Sequence, residues 1–131
     1  MRQILGFGAA LVLGAAITAP ALAEAGSVIG TWVVGEDSAY AGSFCGNDGK
    51  AFCLTVTRLS GGMDTPDNRP YLGVNIIDKA KPAGNGRWKG KLNLFGQSAD
   101  TTVSLKNENT LLLHGCVYMV ICKDLELVRA D

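Results

Sequence analysis

From residue 28 onward the chain is built of short segments whose side chains change character at every second position. The clearest is 88–94, where Trp88, Gly90, Leu92 and Leu94 fall on one face and Lys89, Lys91 and Asn93 on the other. Segments 51–59, 101–105 and 122–129 repeat the pattern. Leu54 and Val56 oppose Thr55 and Thr57, Val103 is in step with Leu105, and Leu125, Leu127 and Arg129 share a face. Segments 28–34, 71–77 and 111–117 are short β-branched or apolar runs. Successive side chains of extended backbone point to opposite sides, so a period of two marks a strand with one buried face. Between these segments lie breakers: Gly61, Gly62, Pro66, Asp67, Asn68 and Pro70 in 60–70, lysine, proline and glycine in 79–86, and Asn107 to Asn109. No segment after residue 27 sustains an apolar stripe at the 3.6-residue helical period. The expectation is an all-β domain, an antiparallel barrel or sandwich of about seven or eight strands.

The start of the chain reads differently. Arg2 is followed by a charge-free apolar run over 4–18, Pro20, and then Ala21-Leu22-Ala23. A charged start, a short apolar core and an A-x-A end form a secretory leader, with cleavage expected after Ala23. Three glycines and a proline make 4–23 a poor permanent span. No cysteine lies near the cleavage point to carry a lipid, so the expected product is a soluble periplasmic protein, not a lipoprotein. Removing 23 of 131 residues leaves 108, which is a single domain over 24–131. With Arg2 gone, 11 basic and 12 acidic side chains remain. That balance lacks the basic stripe nucleic acid requires, and no second apolar run is long enough to cross a membrane.

A domain of this size has a thin stability margin, because ordering ~100 residues costs on the order of 100–200 kcal/mol. Covalent staples are therefore informative. Cys45, Cys53, Cys116 and Cys122 all lie in the mature part, and an even count in an exported chain reads as disulfides. Spacing favours two local bridges, Cys45–Cys53 and Cys116–Cys122, while a bridge across the chain such as Cys45–Cys116 stays open. Neither spacing is a zinc knuckle or a redox C-x-x-C pair, so no metal and no cofactor is expected.

In order along the mature chain, Gly30-Thr31-Trp32, Cys45 with Cys53, Arg69-Pro70-Tyr71-Leu72-Gly73, Trp88-Lys89-Gly90, Gly115-Cys116 with Cys122, and Arg129 resemble the motifs of a bacterial envelope family, domain of unknown function 2147. The chain is similar to a divergent member, since the family's terminal Trp-Thr-Arg run is Leu127-Val128-Arg129 here. The resemblance implies a calycin-like, lipocalin-related β-barrel with an internal ligand cavity. It also implies that Trp32 packs beneath Arg129 and closes one barrel end, a structural role.

The candidate contact loop is Val117, Tyr118, Met119, Val120 and Ile121, five apolar residues between two cysteines. They either continue a strand into the core or form an exposed patch for a lipid or protein. His114, the only histidine, has no serine or free cysteine nucleophile nearby in sequence and reads as structural. Asp64, Asp67 and Asp78 sit among glycines and prolines, where aspartate stabilises turns. No motif supplies nucleophile, base and electrophile together, so the chain is not expected to be an enzyme. The expected function is an exported binding protein holding a small apolar or amphipathic ligand in its barrel. The alternative is an envelope interaction or inhibitor module with a filled core, acting through exposed loops.

Overall fold

The computed structural model describes residues 27–94, 96–118 and 121–131. The leader expected over 1–23, and Met119 and Val120 of the contact loop, lie outside the described residues. Eight strands form a closed antiparallel barrel: β1 (Gly30–Val34), β2 (Ser38–Cys45), β3 (Ala51–Leu59), β4 (Asn75–Pro82), β5 (Trp88–Leu94), β6 (Gln97–Asn107), β7 (Thr110–Val117) and β8 (Ile121–Arg129). Each strand pairs with its sequence neighbours, and β1 meets β8 through Trp32 opposite Arg129 and Val33 opposite Val128. Closure leaves no free sheet edge. Both local disulfides are present, with Cα atoms 6.0 Å apart for Cys45–Cys53 and 4.0 Å for Cys116–Cys122.

The alternating segments place their apolar side inward. Trp88, Leu92 and Leu94 of β5 pack on the core, whereas Lys89, Lys91 and Asn93 are exposed. Two bulges let β4 depart from strict alternation. Leu54 pairs with Ile77 but Thr55 with Asn75, so Ile76 is an extra residue and both isoleucines are buried. Phe52 then pairs with Ala80, leaving a second extra residue in the stretch that holds Lys79. Lys79 adopts φ 58° and donates its backbone N–H to Cys53 Sγ at 3.3 Å. Bulges of this kind bend a strand sharply, which a small barrel needs.

Three sequence expectations change. The strand expected over 71–77 begins only at Asn75, because Arg69–Tyr71 is a 3-10 turn with Pro70 in it. The loop expected over 79–86 is strand as far as Pro82. Strand β2 has no counterpart in the sequence reading; its Ser, Ala and Gly residues carry little intrinsic β preference. Pairing on both sides holds it extended.

The connections alternate between the two barrel ends. At one end lie the N-terminal residues 27–29 and the β2–β3, β4–β5 and β6–β7 turns. This end is sealed. Val28 and Trp32 are buried, and Trp32 Nε1 donates to the Val28 carbonyl at 3.0 Å. The Arg129 guanidinium carbon sits 4.3 Å from the Trp32 ring centroid. Its nitrogens donate to the carbonyls of Glu108 (3.0 Å), Ile29 (2.9 Å) and Ser27. One side chain thus ties the last strand to the N-terminal segment and the β6–β7 turn.

Gly42 makes that seal possible, since a Cβ there would meet the Val28 carbonyl oxygen at 2.5 Å. A Gly42→Val chain should lose roughly 1–3 kcal/mol to overpacking. Thermal unfolding followed by circular dichroism checks it, and an unchanged midpoint would show that residues 27–29 do not press on β2.

Candidate functional site

The opposite end carries the β1–β2, β5–β6 and β7–β8 turns and the long connection 60–74. That connection is pinned: Val56 and Gly73–Val74 exchange backbone bonds of 2.8 and 3.0 Å, Ser60 N–H reaches the Asp37 carbonyl at 2.8 Å, and Arg69 pairs with Asp64 at 2.8 Å. The Tyr71 hydroxyl accepts the Gly96 N–H at 2.8 Å, which holds the connection against the β5–β6 turn. Asp64, Asp67 and Asp78 do not gather around one point. Asp64 serves the connection, and Asp78 accepts from Asn75 at 3.1 Å.

Inside the barrel, Trp32, Phe52, Leu54, Val56, Ile77, Val103, Leu111, Leu113 and Leu127 form one cluster, each at most 2% exposed. A calyx large enough for a whole ligand would leave its lining accessible to water. These residues are not accessible, so side chains fill the barrel alongside them. Among the described residues, none of this cluster lines a cavity of the kind the resemblance implies. Above it the packing loosens. Leu92, Leu94 and Ala99 are half-buried, and together with Gln97 they line a cleft of about 310 Å³ at the mouth. The small inward residues Ala99, Thr101 and Gly115 leave this room; a Cβ on Gly115 would lie 3.4 Å from Thr101 Oγ1 and 3.8 Å from Ala99 Cβ.

The contact loop stands at the same end. Val117 pairs with Ile121 and is half-buried, whereas Tyr118 is 87% exposed and Ile121 60%. Tyr118 takes φ 57°, a left-handed conformation that turns the chain directly after β7. Leu72 of the long connection, 46% exposed, adds to the apolar character of this end. Tyr118 and Ile121 are therefore surface, while Val117 lies between surface and core.

A second cluster lies on the outer wall of β5 to β8. Register sets Lys89 opposite Thr102, Thr102 opposite His114, and His114 opposite Asp124. The parallel row is Lys91, Asp100, Cys116 and Cys122. Backbone at Gly90 and Thr101 lies between the two rows at an open groove of about 530 Å³. Lys91 pairs with Asp100 at 2.6 Å. His114 Nδ1 lies 2.6 Å from Asp124 Oδ1, and its Nε2 lies 3.7 Å from Cys116 Sγ. The sequence reading found no partner for His114; the structure supplies a carboxylate and a sulfur. A carboxylate, an imidazole and a sulfur in line form the frame of an activated thiol. Here the sulfur is bonded to Cys122, so the frame as it stands holds no nucleophile.

Compared with models of known protein families, with curated proteins and with solved structures, the chain matches none.

Proposed function

We propose that this domain is an exported, non-enzymatic binding protein that accepts the apolar end of a small or amphipathic molecule at the open mouth of its barrel. The observation that supports this reading is the loosened packing at the mouth, where half-buried Leu92, Leu94 and Ala99 line a cleft, while Trp32 beneath Arg129 closes the core at the other end. A volume of about 310 Å³ sits at the lower limit of small-molecule sites, which run from roughly 300 to 1,000 Å³. It suits an end group better than an enclosed ligand. Gln97 offers the amide that orients a polar neighbour. Two disulfides fit an oxidising compartment such as the periplasm, in keeping with the leader-like start and the envelope-family resemblance.

The test is titration of the oxidised domain with a fluorescent fatty-acid analogue, beside native mass spectrometry of protein exported by its host. Ala99→Trp places an indole in the cleft and should weaken probe binding more than 10-fold, about 1.4 kcal/mol or greater. Equal affinity in Ala99→Trp would exclude the mouth as the site.

The exposure of Tyr118 and Ile121 favours a second reading, a protein partner docked on this end, because such apolar side chains commonly anchor interfaces. Tyr118→Ser with Ile121→Ser separates the two. Loss of a co-purifying envelope protein with probe binding intact supports the partner. The reverse pattern supports the small molecule.

A further inference from the structure

The geometry points to a metal site on the outer wall, formed when the Cys116–Cys122 bridge is reduced, in which the two thiolates and His114 Nε2 hold one Zn²⁺ and Asp124 fixes the imidazole. It lies on a different face from the mouth and is independent of what the mouth binds.

The β7–β8 hairpin brings these groups together. Facing pairs put Cys116 opposite Cys122 and His114 opposite Asp124. The two-residue period puts His114 and Cys116 on the same side of β7. The donor atoms of His114, Cys116 and Cys122 all lie within 4.8 Å of one another. A histidine that gives its Nδ1 proton to a carboxylate presents the Nε2 lone pair outward, the tautomer that zinc ligands use. Asp124 is placed for that bond at 2.6 Å, and Nε2 faces the sulfur. Tetrahedral zinc with bonds of ~2.3 Å needs its sulfurs ~3.8 Å apart. Once the S–S bond is gone, rotation about the two Cα–Cβ bonds can provide that spacing without moving the strands. Three protein ligands leave a fourth position open toward the groove that holds Thr102 and Lys89.

Reduction balances with a dithiol as the reductant. Its two S–H groups give up two electrons and two protons, the Cys116–Cys122 bond breaks, two cysteine thiols form, and the reductant closes to its own disulfide. Zn²⁺ then displaces both thiol protons to solvent, making two Zn–S bonds and one bond to the neutral imidazole. Water takes the remaining position. His114 and Cys122 are exposed, so reductant and ion can reach the site. The Cys45–Cys53 bridge lacks these features: Cys53 is 2% exposed, and the chain's only histidine is elsewhere.

The experiment uses the full chain, oxidised or reduced with a dithiol and desalted without oxygen. Zn²⁺ affinity is read by competition with a chromophoric chelator, and Co²⁺ serves as the spectroscopic probe. Reduced protein should bind one Zn²⁺ per chain, show a thiolate-to-cobalt charge-transfer band, and keep its β circular-dichroism spectrum. Oxidised protein should show neither binding nor band. His114→Gln should weaken binding at least 10-fold and Asp124→Asn about 10- to 100-fold. Both side chains are exposed, so neither change threatens the core. Cys116→Ser with Cys122→Ser should abolish the cobalt band. The proposal is overturned by equal affinity in the oxidised and reduced forms, or by His114→Gln binding as tightly as the parent. A cobalt band surviving in the double serine variant would also overturn it, as would a reduced chain that loses its β spectrum and does not regain it with Zn²⁺.

Discussion

Replacing Trp32 with alanine should lower the unfolding free energy by about 3–5 kcal/mol, the range for deleting a fully buried large aromatic side chain. The side chain is 0% exposed, so the transfer and cavity costs both apply in full. Two further losses add to them. The Val28 carbonyl loses the indole N–H that it accepts at 3.0 Å. Arg129, whose side chain is only 10% exposed, loses the ring beneath its guanidinium. A desolvated cation over an indole contributes up to about 2 kcal/mol, more than the same contact in water. Single domains are stable by only ~5–15 kcal/mol, so the variant gives up a large share of the total. Urea unfolding measures it, with Trp88 as the remaining fluorophore. Trp32→Phe should fall between, keeping a ring but no N–H. Arg129→Ala should also destabilise, by freeing the carbonyls of Ser27, Ile29 and Glu108. Combined with Trp32→Ala it should cost less than the two changes summed, by about 0.5–2 kcal/mol. Strict additivity would mean that the ring and the guanidinium stack without attracting.

What the sequence disclosed follows the physics of each signal. Alternation in 88–94 marks β5 to the residue, because that strand keeps one wet face and one dry face along its length. Alternation fails where bulges intervene: Ile76 and Ile77 are both buried, a pattern that no two-residue period produces. Strand β2 escaped because its small side chains say little, and only the neighbours on either side make it extended. The filled barrel was also hidden, since inward apolar residues look the same whether they line a cavity or close it. The His114 cluster is different. Any hairpin that sets Cys116 opposite Cys122 also sets His114 opposite Asp124, two residues back along each strand. Once the short bridge was favoured, that carboxylate could have been read from the sequence. Asp64 and Asp78, by contrast, stay with local partners, Arg69 and Asn75.

The two disulfides should prove unequal, and burial is the reason. They close loops of similar length, with sequence separations of 8 and 6, so the chain-entropy contribution is about 2.5 kcal/mol for each. Cys45→Ala with Cys53→Ala should cost more, about 3–5 kcal/mol. Cys53 is buried, its sulfur accepts the Lys79 N–H that the bulge turns inward, and alanine leaves that amide without its acceptor. Cys116→Ala with Cys122→Ala removes an exposed bridge and should cost about 2–2.5 kcal/mol, a drop of roughly 10 °C in midpoint. The same asymmetry orders their reduction. Thiolate exchange requires access to a sulfur in line with the bond, and Cys122 offers it where Cys53 does not. Under limiting dithiol, alkylation followed by peptide mass analysis should therefore label Cys116 and Cys122 first, while the barrel stays folded. Labelling of Cys45 and Cys53 ahead of them, or together with them in one cooperative step, would show that the outer bridge cannot open alone. A metal site that depends on opening it would then have no folded state in which to form.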